Sequence, residues 1–182
     1  EAARVLAIRG HRPELFEKAS RLGGNLIPGG APDFKEDDLA LVRWYETQME
    51  KYKIPVHLNH EVNAQEVREG GFDAVILATG SSPKTFALGD EAHVHTAAEV
   101  LNGTCEVGEK TVIIGGGLVG CETALFLQGQ GKKVTIIEAM KKILSVNGPL
   151  CHANQEMLER LIQYKGIEVI IEAKADRFAD GK

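Results

Sequence analysis

A run of glycines in the middle of the chain is the feature with the clearest chemistry. Residues Gly115–Gly120 read GGGLVG and fit the spacing G-x-G-x-x-G. In that pattern the first glycine makes a tight turn, the second lets the backbone approach a diphosphate, and the third lets a helix pack near a strand. The N–H groups and partial positive charge of the helix N-terminus favour phosphate. The residues expected to hold the diphosphate of a dinucleotide are Gly115, Gly117, Leu118, Val119 and Gly120.

The flanking residues have the pattern that this interpretation requires. The apolar run Val112–Ile114 predicts a buried strand, a helical stretch follows the glycines, and a second apolar run, Val134–Ile137, is closed by Glu138. An acid there accepts hydrogen bonds from a ribose 2′-hydroxyl and repels a 2′-phosphate, so Glu138 predicts NADH. Because Lys141 and Lys142 follow closely, NADPH remains an alternative ligand. A glycine-rich turn that binds no ligand remains an alternative interpretation of the motif.

Composition excludes several classes of function. The net charge is -5 with no basic stripe, which argues against nucleic acid, and no apolar run is long enough to span a membrane. The three cysteines are widely spaced and odd in number, so neither a disulfide framework nor a metal site is expected. We therefore expect a cytoplasmic protein with no metal, nucleic-acid or membrane partner.

Strand-like and helix-like stretches alternate along the chain, which predicts an α/β fold with a mainly parallel sheet. Strands are predicted at 13–17, 56–58, 72–78, 112–114, 134–137, 167–171 and 174–182. Helices are predicted at residues 1–10, from Asp37 or Asp38, at 97–101, after Gly120, and before Gly166. The helix from Asp37 or Asp38 has an apolar stripe of Val42, Tyr45, Met49 and Tyr52. The helix before Gly166 has Leu150, Ala153, Met157, Leu158 and Leu161 on one side. Turns are expected at 79–83 and 147–149, and a domain boundary near residue 90.

The chain also contains an internal similarity. Residues 1–17 repeat the order of residues 121–138, namely a helix end, a glycine, a strand and an acid. The chain thus contains two nucleotide-binding units, and the first lacks its opening strand and glycines.

Three segments together resemble the two-dinucleotide-binding-domain flavoprotein oxidoreductases. They are the unit ending in Leu15-Phe16-Glu17 with Arg21-Leu22-Gly23-Gly24 after it, the segment 73–81 (DAVILATGS), and the complete unit at 110–138. The resemblance implies a Rossmann-like NAD(P)H-binding domain at 90–182 and part of an FAD-binding domain at 1–89. The residues that it assigns to FAD are Glu17, Arg21, Gly24, Thr79 and Gly80.

Two further segments resemble the C-terminal half of the NADH:flavin oxidoreductases, the group of the 2-enoate reductases and 2,4-dienoyl-CoA reductases. They are Ile27–Gly30 (IPGG) and Val146–Pro149 (VNGP). The resemblance implies a fragment that binds NADH and delivers hydride to a flavin, within a parent that reduces an enoate or a similar acceptor. FMN and an iron–sulfur cluster are expected in the parent's other domains, which are the expected partners. Since the first glycine motif is absent, we expect weak or no FAD binding by the fragment.

Two residues near the glycines have competing interpretations. Cys121 lies at the helix N-terminus, which can activate a thiol, but a buried packing role is favoured. Glu122 complements the helix dipole, and the resemblance also places a residue there near the nicotinamide. No residue is expected to act as a catalytic acid or base.

Two other functions stay open. One is a module that holds ADP without turnover and serves electron transfer or assembly. The other is a disulfide reductase, which the absence of a C-x-x-C pair disfavours.

Overall fold

A computed structural model describes residues 1–85, 87–89, 91–145 and 150–179, with Glu91 described by its backbone alone. The chain forms two compact units, one of Glu1–Gly30 and Glu36–Ser82 and the other of Ala31–Lys35 and Pro83–Lys182. Helices and parallel strands occur in both units, which confirms the predicted α/β class. The chain passes from unit 1 to unit 2 after Ser82, a few residues before the predicted domain boundary near residue 90. The assignment of one cofactor to each domain stays a prediction.

Unit 1 is built from short elements around a two-stranded parallel sheet. Its elements are α1 (Ala2–Ile8), β1 (Leu15–Phe16), α2 (Leu26–Gly29), α3 (Glu36–Lys51), β2 (Val56–His57) and α4 (Ala64–Glu69). Strands β1 and β2 pair with Leu15 opposite Val56. Helix α1 ends just before Gly10, whose φ of +86° suits a glycine, as predicted.

Helix α3 begins one residue earlier than the predicted start at Asp37 or Asp38. Both acids lie inside its first turn, after Glu36, so they complement the helix dipole and neither precedes the helix as an N-cap. The predicted apolar stripe is confirmed, because Val42 and Met49 are buried and the two tyrosines are half-buried.

The predicted strand at 72–78 does not form. Val75, Ile76 and Leu77 are 49%, 59% and 83% exposed. In the described part of the chain no backbone hydrogen bond joins this segment to β1 or β2. A strand exists only where a neighbour supplies the hydrogen-bonded ladder, so apolar composition alone was insufficient. The turn predicted at 79–83 is also absent, although Gly80 adopts a φ of +72°.

Unit 2 contains a three-stranded parallel sheet with crossover helices. Its elements are α5 (Ala97–Asn102), β3 (Lys110–Ile114), α6 (Leu118–Gly129), β4 (Lys133–Ile137), α7 (His152–Tyr164) and β5 (Glu168–Ile170), with 3₁₀ turns at Asp33–Lys35 and Glu91–His93. The strand order is β3-β4-β5, and the carboxyl ends are aligned because Ile114 faces Ile137, which faces Ile170. This order brings the residues after β3 and β4 to the same sheet edge.

The core of unit 2 lies between one face of this sheet and its helices. It comprises Cys121, Ala124, Leu125, Leu127, Val134, Ile136, Leu144, Leu158, Ile162 and Ile167. The prediction that Val112–Ile114 is buried was wrong for two of its residues, since Val112 is 57% and Ile114 46% exposed. Side chains alternate along a strand, and in the described residues only the face with Ile113 packs against the core.

Helix α7 buries a narrower stripe than predicted. Leu158 is buried, but Met157 is 41% exposed and Ala153 is also exposed. Ile162, four residues after Leu158, is buried in their place, as the helical repeat requires. The helix ends before Gly166, whose φ is +64°.

The last part of the chain also differs from its prediction. Residues 174–179 form no strand, and Phe178 makes an isolated parallel bridge to Gly89. The remainder of the predicted strand at 174–182 and the turn at 147–149 lie outside the described residues, as does Val146. No helix in the described ranges combines the length and apolar character needed to cross a bilayer.

Candidate functional site

The glycine motif forms the connection between β3 and α6. Gly115 adopts a φ of +100°, which an L side chain rarely takes, and its N–H donates to the carbonyl oxygen of Ile137 at 2.8 Å. This bond ties the start of the turn to the end of β4. Gly115 therefore turns the chain out of the sheet, as its position in the motif predicted.

Gly120 holds the helix against the strand. A Cβ atom at this position would overlap with the carbonyl oxygen of Gly115 and lie 3.4 Å from Cγ2 of Ile113. Because the nearest obstacle is backbone, a side chain at residue 120 would force α6 away from β3. The close approach predicted for the third glycine is present.

Gly117 caps α6 and faces open space. Its φ of -75° is ordinary, and a Cβ atom placed on it would meet no atom within 4 Å. The N–H groups of the first helical turn have no intrahelical acceptors, and this turn contains Leu118, Val119 and Gly120. An anion can thus approach the backbone here, and Val119 is 59% exposed.

Glu138 directly follows β4 and reaches across to the glycine turn. Its Oε2 accepts the Gly116 N–H at 2.7 Å, and its Oε1 accepts the Met140 N–H at 2.7 Å. A carboxylate has about four acceptor positions, so each oxygen retains one for a further donor. The half-buried carboxylate is therefore oriented and can accept hydroxyl groups.

Gly116 has a structural role that the sequence analysis missed. Its carbonyl oxygen accepts the Leu144 N–H at 2.7 Å, and a Cβ atom on it would lie 2.5 Å from Cγ2 of Ile143. The segment after Glu138 thus packs directly on the turn. The signal in the sequence was a glycine at position 116, the middle one of three consecutive glycines, where the motif allows any residue.

Lys35 is a second residue that the sequence analysis missed. Its Nζ lies 3.0 Å from Oε2 and 3.1 Å from Oε1 of Glu122, both residues belonging to unit 2. The two side chains are 30% and 18% exposed. Since 87 residues separate the partners, no local pattern indicated the pair. Glu122 is the fifth residue of α6 and lies past its first turn, so the specific partner of its charge is Lys35 and not the helix dipole as expected.

Cys121 is a packing residue. It is fully buried, and its Sγ donates to the carbonyl oxygen of Gly116 at 3.5 Å. Burial raises the pKa of its thiol to about 12, and the nearby charges of Glu122, Glu138 and Glu159 act in the same direction. A neutral thiol is unreactive, so the favoured interpretation of Cys121 holds.

In unit 1 the acid after β1 is held by its own loop. The Glu17 Oε1 accepts the Ala19 N–H at 2.8 Å. The Glu17 backbone bonds to His57 at 2.9 Å and to His60 at 3.0 Å. Like Glu138, Glu17 is half-buried immediately after a parallel strand.

The structure brings two of the other predicted segments of unit 1 together. The Asn25 Nδ2, next to Gly24, donates to the Ser81 Oγ at 3.2 Å, next to Gly80. Both glycines have positive φ, +49° and +72°. Arg21 and Thr79 are exposed, and no side-chain hydrogen bond in the described residues links Glu17 or Arg21 to this pair. In the same residues no three histidine, cysteine or acidic side chains are arranged to hold a metal ion.

Comparison with known proteins identifies relatives over almost the whole chain. It is 54% identical over 169 residues to a cinnamate reductase of Clostridium sporogenes, which covers 93% of this chain and 25% of the relative. It is 38% identical over 149 residues to an NADH oxidase of Thermoanaerobacter brockii, which covers 79% of this chain and 23% of the relative. The chain thus spans about a quarter of the length of these relatives.

A solved structure shows the same fold. The structure of 2-naphthoyl-CoA reductase in complex with 2-naphthoyl-CoA matches with a TM-score of 0.86 and 28% identity, covering 98% of this chain and 27% of that one. Residues 42–182 match the family described as pyridine nucleotide-disulphide oxidoreductase, whose fold binds FAD and NAD(P)H. The match includes the glycine turn and Glu138. The chain therefore belongs to the pyridine nucleotide-disulphide oxidoreductase family.

Proposed function

We propose that this chain receives NADH at the glycine turn of unit 2 and positions its nicotinamide for hydride transfer to FAD. The observation that carries the proposal is the turn itself, with Gly117 facing open space and Glu138 oriented beside it. In this proposal Gly115, Gly117, Leu118, Val119 and Gly120 surround the diphosphate.

Glu138 supports NADH as the nucleotide. Each of its oxygens already accepts one backbone N–H and retains capacity for a ribose hydroxyl. A 2′-phosphate would place negative charge against this carboxylate. Lys141 and Lys142 are exposed and follow Glu138 by a few residues, so they reduce the discrimination against NADPH without removing it.

For FAD we propose contacts with Glu17, Arg21, Gly24, Thr79 and Gly80. Glu17 follows a parallel strand as Glu138 does, and the Asn25–Ser81 hydrogen bond supports the proximity of the two glycine-containing segments. On this basis residues 1–89 contribute to an FAD-binding domain and residues 90–182 form the NAD(P)H-binding domain. The family supports both cofactors.

When bound, the nicotinamide supplies a hydride and the flavin accepts it. The residues of this chain bind and orient, and none is required as an acid or base. Glu122 is the fifth residue of α6, just past the first turn, and we propose that the Lys35–Glu122 pair adjoins the nicotinamide. There Lys35 neutralises an acid that would otherwise repel an anionic ligand.

The proposed acceptor of the complete protein is an activated alkene of the enoate type. Support comes from the cinnamate reductase, because cinnamate is an α,β-unsaturated carboxylate. The name of 2-naphthoyl-CoA reductase states a reduction of an aromatic acyl thioester, which is a related conjugated carbonyl compound. The relatives are about four times as long as this chain, so we propose that further domains carry the acceptor site with FMN and an iron–sulfur cluster. Three free thiols favour a reducing compartment, which we propose is the cytoplasm.

Anaerobic mixing of NADH with the complete, FAD-loaded protein tests the proposal, because weak or no FAD binding is expected of the 182-residue chain alone. Loss of the visible absorbance of oxidised flavin is the expected result. Binding of NADH without this loss would contradict hydride transfer and favour a nucleotide-holding module.

A further inference from the structure

The Glu138 carboxylate makes hydrogen bonds within the protein in addition to its proposed contact with the ribose. Its two oxygens each accept a different backbone N–H at 2.7 Å, one from Gly116 inside the glycine turn and one from Met140 after β4. The carboxylate therefore connects the glycine turn, which lies 22 residues before it in the sequence, to the backbone directly after β4. A residue whose only task is to meet a ligand has no need of this bridge.

A second connection holds the same turn from the other direction. The Gly116 carbonyl oxygen accepts the Leu144 N–H at 2.7 Å, and Leu144 is 3% exposed with a left-handed φ of +58°. Ile143 leaves no room for a side chain on Gly116. Gly116 is thus hydrogen-bonded through both its N–H and its carbonyl to residues 138–144.

We propose that Glu138 is a positioning residue for the diphosphate-binding turn, in addition to its proposed contact with the ribose. The bonds from residues 138 and 144 fix the Gly116 peptide, and this peptide sets the direction of the N–H groups that follow it. Nucleotide affinity therefore depends on Glu138 even for ligands that offer it no hydroxyl group. This inference rests on the proposed function.

The chemistry of the side chain makes the test specific. Glutamine has nearly the same shape as glutamate but only one acceptor oxygen, and its amide group is a donor. In Glu138→Gln one of the two backbone N–H groups must face an N–H donor. The usual conservative replacement is therefore disruptive at this position.

The test compares ADP with 2′,3′-dideoxy-ADP by calorimetry in the wild-type 182-residue chain, in Glu138→Gln and in Glu106→Gln. Glu106 is an exposed acid of the same unit and serves as the control. We expect Glu138→Gln to weaken binding of the dideoxy nucleotide by about fivefold or more, because a backbone donor loses its partner. Glu106→Gln is expected to bind as the wild type does.

Amide hydrogen exchange separates positioning from unfolding. In Glu138→Gln at least one of the Gly116 and Met140 amides should exchange on the order of tenfold faster, while the buried Ile136 amide keeps its protection. Equal affinity of the wild type and Glu138→Gln for the dideoxy nucleotide would overturn this inference alone, and so would a loss of protection at Ile136. A wild-type chain that binds neither nucleotide would instead remove the proposed function, and the inference with it.

Discussion

The carbonyl oxygen of Gly115 occupies the space that a side chain at Gly120 would need. Gly115 directly follows β3 and Gly120 lies in the first turn of α6, so their contact sets how closely the helix approaches the sheet. The N-terminal N–H groups of α6 depend on this approach for their position. The spacing of the glycines is therefore a packing requirement as well as a requirement of ligand binding.

Gly120→Ala is expected to destabilise the protein by about 1–3 kcal/mol, because overpacking against backbone forces the helix to move. Thermal denaturation measures the loss, and calorimetry should show weakened NADH binding. Gly129→Ala is the matched control in the same helix, where a Cβ atom meets nothing within 4 Å. That variant should be as stable as the wild type or slightly more so. Equal melting temperatures for both variants would refute the packing role.

Gly117→Ala should separate binding from stability. Its φ of -75° is accessible to alanine and its surroundings are open, so the melting temperature is expected to stay unchanged. The added methyl group would occupy the path of the diphosphate, and we expect the Kd for NADH to rise by about tenfold or more, which corresponds to about 1.4 kcal/mol. An unchanged Kd would show that the nucleotide does not approach the backbone here.

Lys35→Met should weaken NADH binding by removing the cation that faces Glu122. An unneutralised acid near an anionic ligand costs on the order of 1 kcal/mol, so the Kd should rise by about three- to tenfold at low ionic strength. The double variant Lys35→Met/Glu122→Gln should recover most of the affinity. If the double variant binds no better than Lys35→Met, the effect is not electrostatic.

Cys121 should resist alkylation in the folded protein. Because burial raises the pKa of its thiol to about 12, almost no thiolate exists at pH 8, and the side chain is inaccessible. Cys151 is exposed and provides an internal comparison in the same sample. Iodoacetamide labelling followed by mass spectrometry should find Cys151 modified and Cys121 modified only after unfolding. Similar labelling rates for both cysteines would contradict the burial of Cys121.

The unit at 110–138 could be predicted because the contacts that form it join residues close together in the sequence. One crossover unit contains the strand, the glycines, the helix, the second strand and the acid. Because its two strands pair in parallel, Glu138 at the end of the second strand lies beside the glycines at the end of the first. The structure has β3 and β4 paired as this requires, with Ile114 opposite Ile137. Gly115 also takes the conformation, and Gly120 makes the close contact, that their positions predicted. Gly117 faces open space, and its contact with a diphosphate stays a prediction.

The wrong predictions depend on contacts with distant segments, which the local sequence does not indicate. The run Val75–Leu77 has the composition of a strand, yet a strand depends on a neighbour, and these residues make no ladder in the described chain. Likewise, Val112 was predicted to be buried but is exposed, because its exposure depends on which face of the sheet the helices cover. The ion pair of Lys35 and Glu122 joins distant segments and leaves no local pattern.

A calorimetric titration of the 182-residue chain with NADH and with NADPH tests the central claim most directly. We expect saturable heat with both nucleotides and tighter binding of NADH, because the Glu138 carboxylate accepts ribose hydroxyl groups and repels a 2′-phosphate. Tighter binding of NADPH would contradict the role given to Glu138. Absence of heat with either nucleotide would contradict the account of the glycine turn as a dinucleotide site.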